Sequence, residues 1–166
     1  MIGRAIVVMG VSGVGKSSIG QGIADRIGGR YVDADDLHPA VNVAHMAAGK
    51  PLNDDMRWPW LDKCGQVLDA GRRTGDIVLA CSALKRIYRD RLRDNVRDLV
   101  LVYLEADRDL IWSRMEARKN HYMPASLLDS QLATLEPPTD DENPITVRTD
   151  IPVEQIVDAV MAQLSA

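Results

Sequence analysis

Gly10-Val11-Ser12-Gly13-Val14-Gly15-Lys16-Ser17 satisfies the pattern G-x-x-x-x-G-K-[ST] at every fixed position. The chemistry of that spacing is phosphate binding. The glycines let the backbone approach phosphate oxygens closely, Lys16 reaches the β- and γ-phosphates, and the Ser17 hydroxyl is placed for Mg²⁺. A second group of candidates is Asp33-Ala34-Asp35-Asp36, followed by His38, Asn42 and His45 at helical spacing. Of the carboxylates, Asp33 is expected to face a Mg²⁺ shell and Asp35 a bound acceptor, as general base or as the group that orients the attacking hydroxyl. Asp36 is the candidate for a plain helix cap. His38, Asn42 and His45 form a polar face suited to a hydroxyl-rich ligand; two histidines without a carboxylate beside them are a weak metal signal.

Basic residues make the third group. Arg57 lies near a helix start, against the helix dipole, and so needs an anion: Asp54 or Asp55, or a substrate carboxylate gripped in bidentate fashion. Lys85, Tyr88 and Arg91 follow Cys81-Ser82-Ala83-Leu84. They read either as a solvated helix face with Asp90 and Asp94 or as substrate contacts. Arg114 and Arg118 share one helix face ahead of the basic, turn-like stretch 117–124. A basic hairpin over a phosphate site is what a water-excluding lid requires, here about residues 114–135, with Arg118 neutralising charge as the phosphoryl group moves.

These residues need a scaffold that turns them towards one another. Five stretches read as strands, 4–9, 30–33, 76–81, 99–104 and 145–148, with helical patterns between them in the order β-α-β-α-α-β-α-β-α-α-β-α. Apolar strands alternating with helices imply a parallel sheet covered on both faces. In such sheets ligands bind beyond the C-terminal strand ends, where all three groups of candidates fall. Ile19, Ile23 and Ile27 face inward behind the loop, Gly28-Gly29 ends that helix, and Val153, Ile156, Val157, Val160, Met161 and Leu164 stripe the last one.

Composition narrows the class. With 166 residues, 46% hydrophobic and 27% charged, the chain reads as one soluble domain over 1–166. A net charge of −4 argues against nucleic acid or an anionic membrane as main partner. No apolar run approaches membrane-spanning length, and Cys64 and Cys81 are expected to be reduced thiols, so a cytoplasmic location is expected. No acidic residue follows the third strand, which leaves Asp33 to supply a carboxylate near Mg²⁺. A guanine-nucleotide switch is disfavoured, because Asn-Lys-x-Asp is absent and both D-x-x-G matches fall in or at the end of helical stretches.

Taken together, Gly10 to Ser17, Asp33-Ala34-Asp35, Leu37-His38-Pro39 with Asn42 and Met46, Pro51-Leu52-Asn53-Asp54, Arg57 with Pro59-Trp60-Leu61, Cys81-Ser82-Ala83-Leu84-Lys85 with Tyr88-Arg89, Ala117-Arg118-Lys119 and Ser130-Gln131 resemble the small gluconokinases. That family is related to shikimate kinase, from which Cys81-Ser82-Ala83 departs where a glycine cluster is usual. The resemblance implies a P-loop three-layer α/β/α fold with a helical lid and a five-stranded parallel sheet of order 2-3-1-4-5. It also implies ATP with Mg²⁺, phosphorylation of D-gluconate at its 6-hydroxyl, and a homodimer. It places Gly10, Ser12, Gly13, Val14, Gly15, Lys16, Ser17 and Ser18 on the nucleotide phosphates, with Arg114 against the adenine. Asp35, His38, Asn42, Arg57, Lys85, Tyr88, Arg91 and Gln131 fall on gluconate. The sequence departs at His45, where lysine is expected, and at Met56, where an acidic residue is expected.

Overall fold

The computed structural model describes residues 2–117 and 125–165. Its elements are β1 (Ala5–Met9), α1 (Lys16–Ile27), β2 (Arg30–Asp33), α2 (Ala40–Ala47), α3 (Asp54–Arg72), β3 (Ile77–Ala80), α4 (Arg86–Asn95), β4 (Val100–Glu105), α5 (Arg108–Glu116), α6 (Ala125–Thr134), β5 (Ile145–Arg148) and α7 (Val153–Leu164), with 3₁₀ turns at Ala34–Leu37 and Asp140–Glu142. The strands form one five-stranded sheet in the order β2-β3-β1-β4-β5, all pairings parallel. Each strand lies within a residue of its expected position at either end.

Burial explains the composition of the strands. β1 and β3 are buried along their whole length, being covered on both faces, whereas the edge strand β5 alternates buried and exposed residues. On one face Ile19 and Ile23 of α1 meet Ile156, Val157 and Val160 of α7. On the other, Leu61, Cys64 and Leu68 of α3 meet Tyr88 and Leu92 of α4. Each fully buried Leu or Ile contributes about 1.5–3 kcal/mol relative to exposure. The expected α7 stripe holds except at its first position: Met161 and Leu164 are partly buried against this core, while Val153 is 44% exposed.

Parallel register aligns the strand ends that carry the site. Asp33 pairs with Ala80, Val8 also with Ala80, and Glu105 with Arg148. The loops after β1, β2 and β3 therefore open at one end of the sheet. Glycine is required in the first of them. A Cβ on Gly10 (φ 152°) would stand 2.8 Å from Val14 Cγ1, and one on Gly13 (φ 85°) 2.9 Å from Met115. α2 is built inside out: its one buried residue is Asn42, while Val41 and Val43 are 66% and 52% exposed.

Candidate active site

The loop after β1 arches back over α1. The Gly10 N–H donates to Ser82 O at 3.3 Å, tying it to the loop after β3. Lys16 Nζ donates to the carbonyls of Gly10 and Val11 at 2.9 and 3.0 Å, so the ammonium is held across the mouth of its own loop. Burial lowers its pKa, with Cys81, Asp35 and Asp33 pulling the other way. Ser17 and Ser18 are exposed at the start of α1, where free N–H groups and the dipole favour an anion. Gln131 falls elsewhere than expected. From α6 its Oε1 accepts the Ser12 N–H at 2.7 Å, and its Nε2 donates to Ser12 Oγ at 3.0 Å. It grips the phosphate loop rather than the acceptor corner, because α6 packs beside α5.

Asp33 and Asp35 leave β2 in different roles. Asp33 Oδ1 accepts the Asp35 N–H at 2.9 Å, so Asp33, and not Asp36, caps the 3₁₀ turn. The Asp35 carboxyl is raised above its usual range, chiefly by burial and next by the Asp33 charge, while His38 and Lys16 oppose the shift. Asp35 thus joins the lysine of the loop to the histidine beyond the turn.

His38 lies ahead of α2, stacked on Trp60 with ring centroids 4.2 Å apart and planes 15° from parallel. Trp60 is itself fixed by its Nε1–H on Ala34 O at 2.7 Å. Asn42 is 1% exposed, and its Nδ2 bonds His38 Nδ1 at 3.2 Å and Met56 O at 3.0 Å. The expected face of His38, Asn42 and His45 therefore does not form, since His38 precedes the helix and His45 Nε2 bonds Pro51 O at 3.0 Å. Trp60 carries no sequence signal of its role. The pairing of an indole N–H with the carbonyl after β2 depends on how α3 crosses that strand end.

Across the mouth stands a polar knot between α3 and α4. Tyr88 Oη donates to Asp54 Oδ1 at 2.6 Å, and Arg57 Nη1 donates to Asp54 Oδ1 and to Tyr88 Oη, both at 3.1 Å. Tyr88 is pushed up to about 12, by burial first and the Asp54 bond second. Asp54 is lowered, by the Tyr88 bond before the Arg57 bond. Arg57 also lies with Cζ 5.3 Å over the Tyr88 ring, and Lys85 Nζ is 5.8 Å over it. Asp54 is therefore the anion that Arg57 needs within the fold. Among the described residues only one guanidinium nitrogen of Arg57 is used, and the side chain remains 29% exposed. Tyr88 is 5% exposed rather than on a solvated face.

Arg91 does not join this cluster. Its Nε and Nη2 bind Asp62 at 2.7 and 2.8 Å, a bidentate pair that also lays Cζ 5.4 Å over Trp58. With its fork occupied it is a strut between α3 and α4, which corrects its expected substrate role. Arg114 reaches from α5 to the residue after β5, where Thr149 Oγ1 accepts Nη1 at 3.1 Å and Thr149 O accepts Nη2. That places it at the far side of the loop from the acceptor corner. Arg118 lies outside the described residues. A cavity of about 710 Å³ bordered by Arg93, Leu99, Ile145 and Leu164 opens at the opposite, N-terminal end of β4 and β5, away from the phosphate loop.

The parallel sheet of this order with its phosphate loop defines a P-loop kinase. The family model described as shikimate kinase matches residues 12–165. Within that class the chain is 43% identical to a gluconokinase of Gluconobacter oxydans (strain 621H), covering 93% of this chain and 89% of that protein. It is 42% identical to the thermoresistant gluconokinase of Escherichia coli (strain K12), covering 91% and 87%. A crystal structure of a gluconokinase from Sinorhizobium meliloti 1021 superposes with a TM-score of 0.89 at 42% identity, covering 99% of this chain and 93% of that one. The chain belongs to the gluconokinase family.

Proposed function

We propose that the protein transfers the γ-phosphoryl group of ATP to the 6-hydroxyl of D-gluconate, giving 6-phospho-D-gluconate and ADP. The observation that carries this reading is one continuous line of interacting groups. The Gly10 N–H on Ser82 O joins the phosphate loop to the loop after β3, which leads to Lys85 beside the Tyr88 ring and Arg57. The charges of Lys16, Asp35, His38 and Arg57 influence one another in that order, and among the described residues Arg57 bonds through Nη1 alone. The line joins an anion site to a cation, with hydrogen-bonding groups between them. A linear sugar acid matches it, with carboxylate at Arg57 and Lys85, hydroxyls along His38 and Asp35, and the far hydroxyl at the loop.

Among the described residues no three His, Cys, Asp or Glu side chains gather as a metal site. That suits a Mg²⁺ ion bound mainly through nucleotide phosphates. Ser17, exposed at the loop, and Asp33 would hold it from the protein side. Tyr31 Oη, which is buried with no hydrogen-bond partner among the described residues and is influenced by Ser17 and Asp33, supports a polar ligand there. When bound, the Mg²⁺–nucleotide supplies the phosphoryl group and offsets its charge. Lys16 adds positive charge at the β- and γ-phosphates, and Asp35 accepts the proton of the attacking hydroxyl. Segment 114–135 serves as the lid, with Arg118 stabilising the moving charge and Arg114 facing the adenine. The reading includes a homodimer, on the strength of the family resemblance, and a cytoplasmic location, on the strength of the expected reduced thiols Cys64 and Cys81; among the described residues no helix is long and apolar enough to cross a membrane.

Initial rates with gluconate, glucose and shikimate at saturating ATP test the proposal. Gluconate is expected to be the best acceptor and glucose, lacking the carboxylate, a very poor one. Equal rates with gluconate and glucose overturn acid recognition. Shikimate as best acceptor moves the activity to the neighbouring branch, which the matching family model makes the alternative.

A further inference from the structure

Asn42 is the one buried residue of α2, and its neighbours Val41 and Val43 face outward. Burying an amide in place of those apolar side chains is unfavourable unless its hydrogen bonds are made. Both partners of its Nδ2 are defined. Met56 O at 3.0 Å can only accept, so the atom facing it is the amide nitrogen, and the orientation of the group follows. The same nitrogen is 3.2 Å from His38 Nδ1. An amide nitrogen has protons and no lone pair to offer, so His38 Nδ1 must be the acceptor and its ring proton must be on Nε2.

We infer that Asn42 is a positioning residue that locks His38 as the neutral Nε2–H tautomer, so that His38 is a donor to an acceptor hydroxyl and never the proton-accepting base. The substrate half of this inference rests on the proposed function; the tautomer does not. Stacking on Trp60, with that indole tied to Ala34 O, keeps the ring from turning over. Nε2 has no protein hydrogen-bond partner among the described residues. The charges that act on the ring are Asp35 from the 3₁₀ turn and Arg57 from α3, and Asp36 of that turn and Lys63 of α3 border the same pocket; Asn42 of α2 and Trp60 of α3 are neutral. Burial is the largest influence and lowers the His38 pKa, Asp35 opposes it and Arg57 adds to it. Forming an imidazolium would also set an Nδ1–H against the Asn42 N–H. His38 is thereby excluded as base, and Asp35 is left as the proton acceptor. Asn42, expected as a gluconate contact, acts through the imidazole instead.

Nitrogen chemical shifts of the His38 ring, assigned against a His38→Gln variant, test the tautomer in the unliganded enzyme. The expected spectrum has a protonated Nε2 and an unprotonated Nδ1 at about pH 8.5, with any titration centred below the ordinary histidine value of about 6.5. An Nδ1–H tautomer, or a titration centred at or above the ordinary histidine value, overturns the inference whatever the acceptor proves to be. Asn42→Asp should reverse the assignment, since a carboxylate accepts from Nδ1–H and raises the His38 pKa. Its KM for gluconate should rise about tenfold while KM for ATP stays within about twofold. A folded Asn42→Asp enzyme with unchanged His38 shifts overturns the lock. If gluconate is not the acceptor, the proposed function fails and the wild-type spectrum still decides the tautomer.

Discussion

Helix α4 carries arginine or tyrosine into two polar networks of opposite kinds. Towards the turn before β5, Arg89 closes on Glu142 with bonds of 2.8 and 3.1 Å, Arg93 adds a third at 2.7 Å, and Arg89 Nη1 reaches the carbonyls of Ala83 and Leu84. The Arg89 and Glu142 side chains are each 1% exposed. Towards α3, Tyr88 and Arg57 share the single carboxylate of Asp54, which is 40% exposed, and among the described residues the guanidinium bonds through Nη1 alone. A charge withdrawn from water is tolerable only when its donors and acceptors are satisfied, so the first network is closed and structural. The second is held in place yet unsaturated, at the mouth of the phosphate loop. Satisfaction, more than the presence of charge, separates scaffold from site.

The largest expected effect falls on the open side. Asp35→Asn should lower kcat roughly 10²–10⁴-fold with KM for ATP little changed, as loss of a general base does. Because burial and Asp33 raise its pKa in the folded state, ionised Asp35 opposes folding above its ordinary value of 3.8, so the variant should be no less stable at pH 7 by thermal denaturation. In the wild type the acid limb of kcat/KM for gluconate should be centred above that ordinary value. An unchanged kcat, or a variant that simply unfolds, would merge the two networks into one class.

The closed side should answer in stability. Glu142→Gln leaves Arg89 and Arg93 short of their partner and should cost about 3–5 kcal/mol in denaturant unfolding, with kcat per folded molecule near normal. Burial raises Glu142, but Arg89 and Arg93 outweigh it and hold the carboxyl at about 2, against 4.5 ordinarily. Its contribution, about 3 kcal/mol, is therefore present above pH 4.5 and lost as pH falls towards 2. Acid unfolding of the wild type should show that dependence, and the variant should lack it.

Arg57→Ala sharpens the comparison, since that side chain belongs to the knot and is also left open. A charge-assisted hydrogen bond contributes about 1.5–3 kcal/mol, so KM for gluconate should rise roughly 10–150-fold, with a smaller change in stability. A change in stability alone would make it another strut. The smallest effect is expected for Arg91→Ala. Its pair with Asp62 is 39% and 36% exposed, so the cost should be below about 1 kcal/mol and KM for gluconate within about twofold. A KM change comparable to that of Arg57→Ala would return Arg91 to the acceptor corner.

What the sequence determined by itself was whatever depends on short-range pattern. The loop is written in Gly10, Gly13, Gly15, Lys16 and Ser17, because only those residue types permit its backbone and supply its charge. The strands show as apolar runs because both faces of the sheet are covered, and Gly28 stops α1 by its left-handed conformation. Those features carried the strand positions and the identity of the phosphate site. Tertiary structure alone decided which polar side chain meets which. Gln131 meets Ser12 across 119 positions, Arg91 meets Asp62 across 29, and Trp60 meets Ala34 across 26. Each of these pairings is set by the angle at which a helix crosses the sheet or its neighbour, a packing result spread over many apolar contacts and absent from the local period. Asn42 shows the limit most clearly, since its helical spacing places it on a face with His38, and only the inward turn of α2 shows that it serves the histidine.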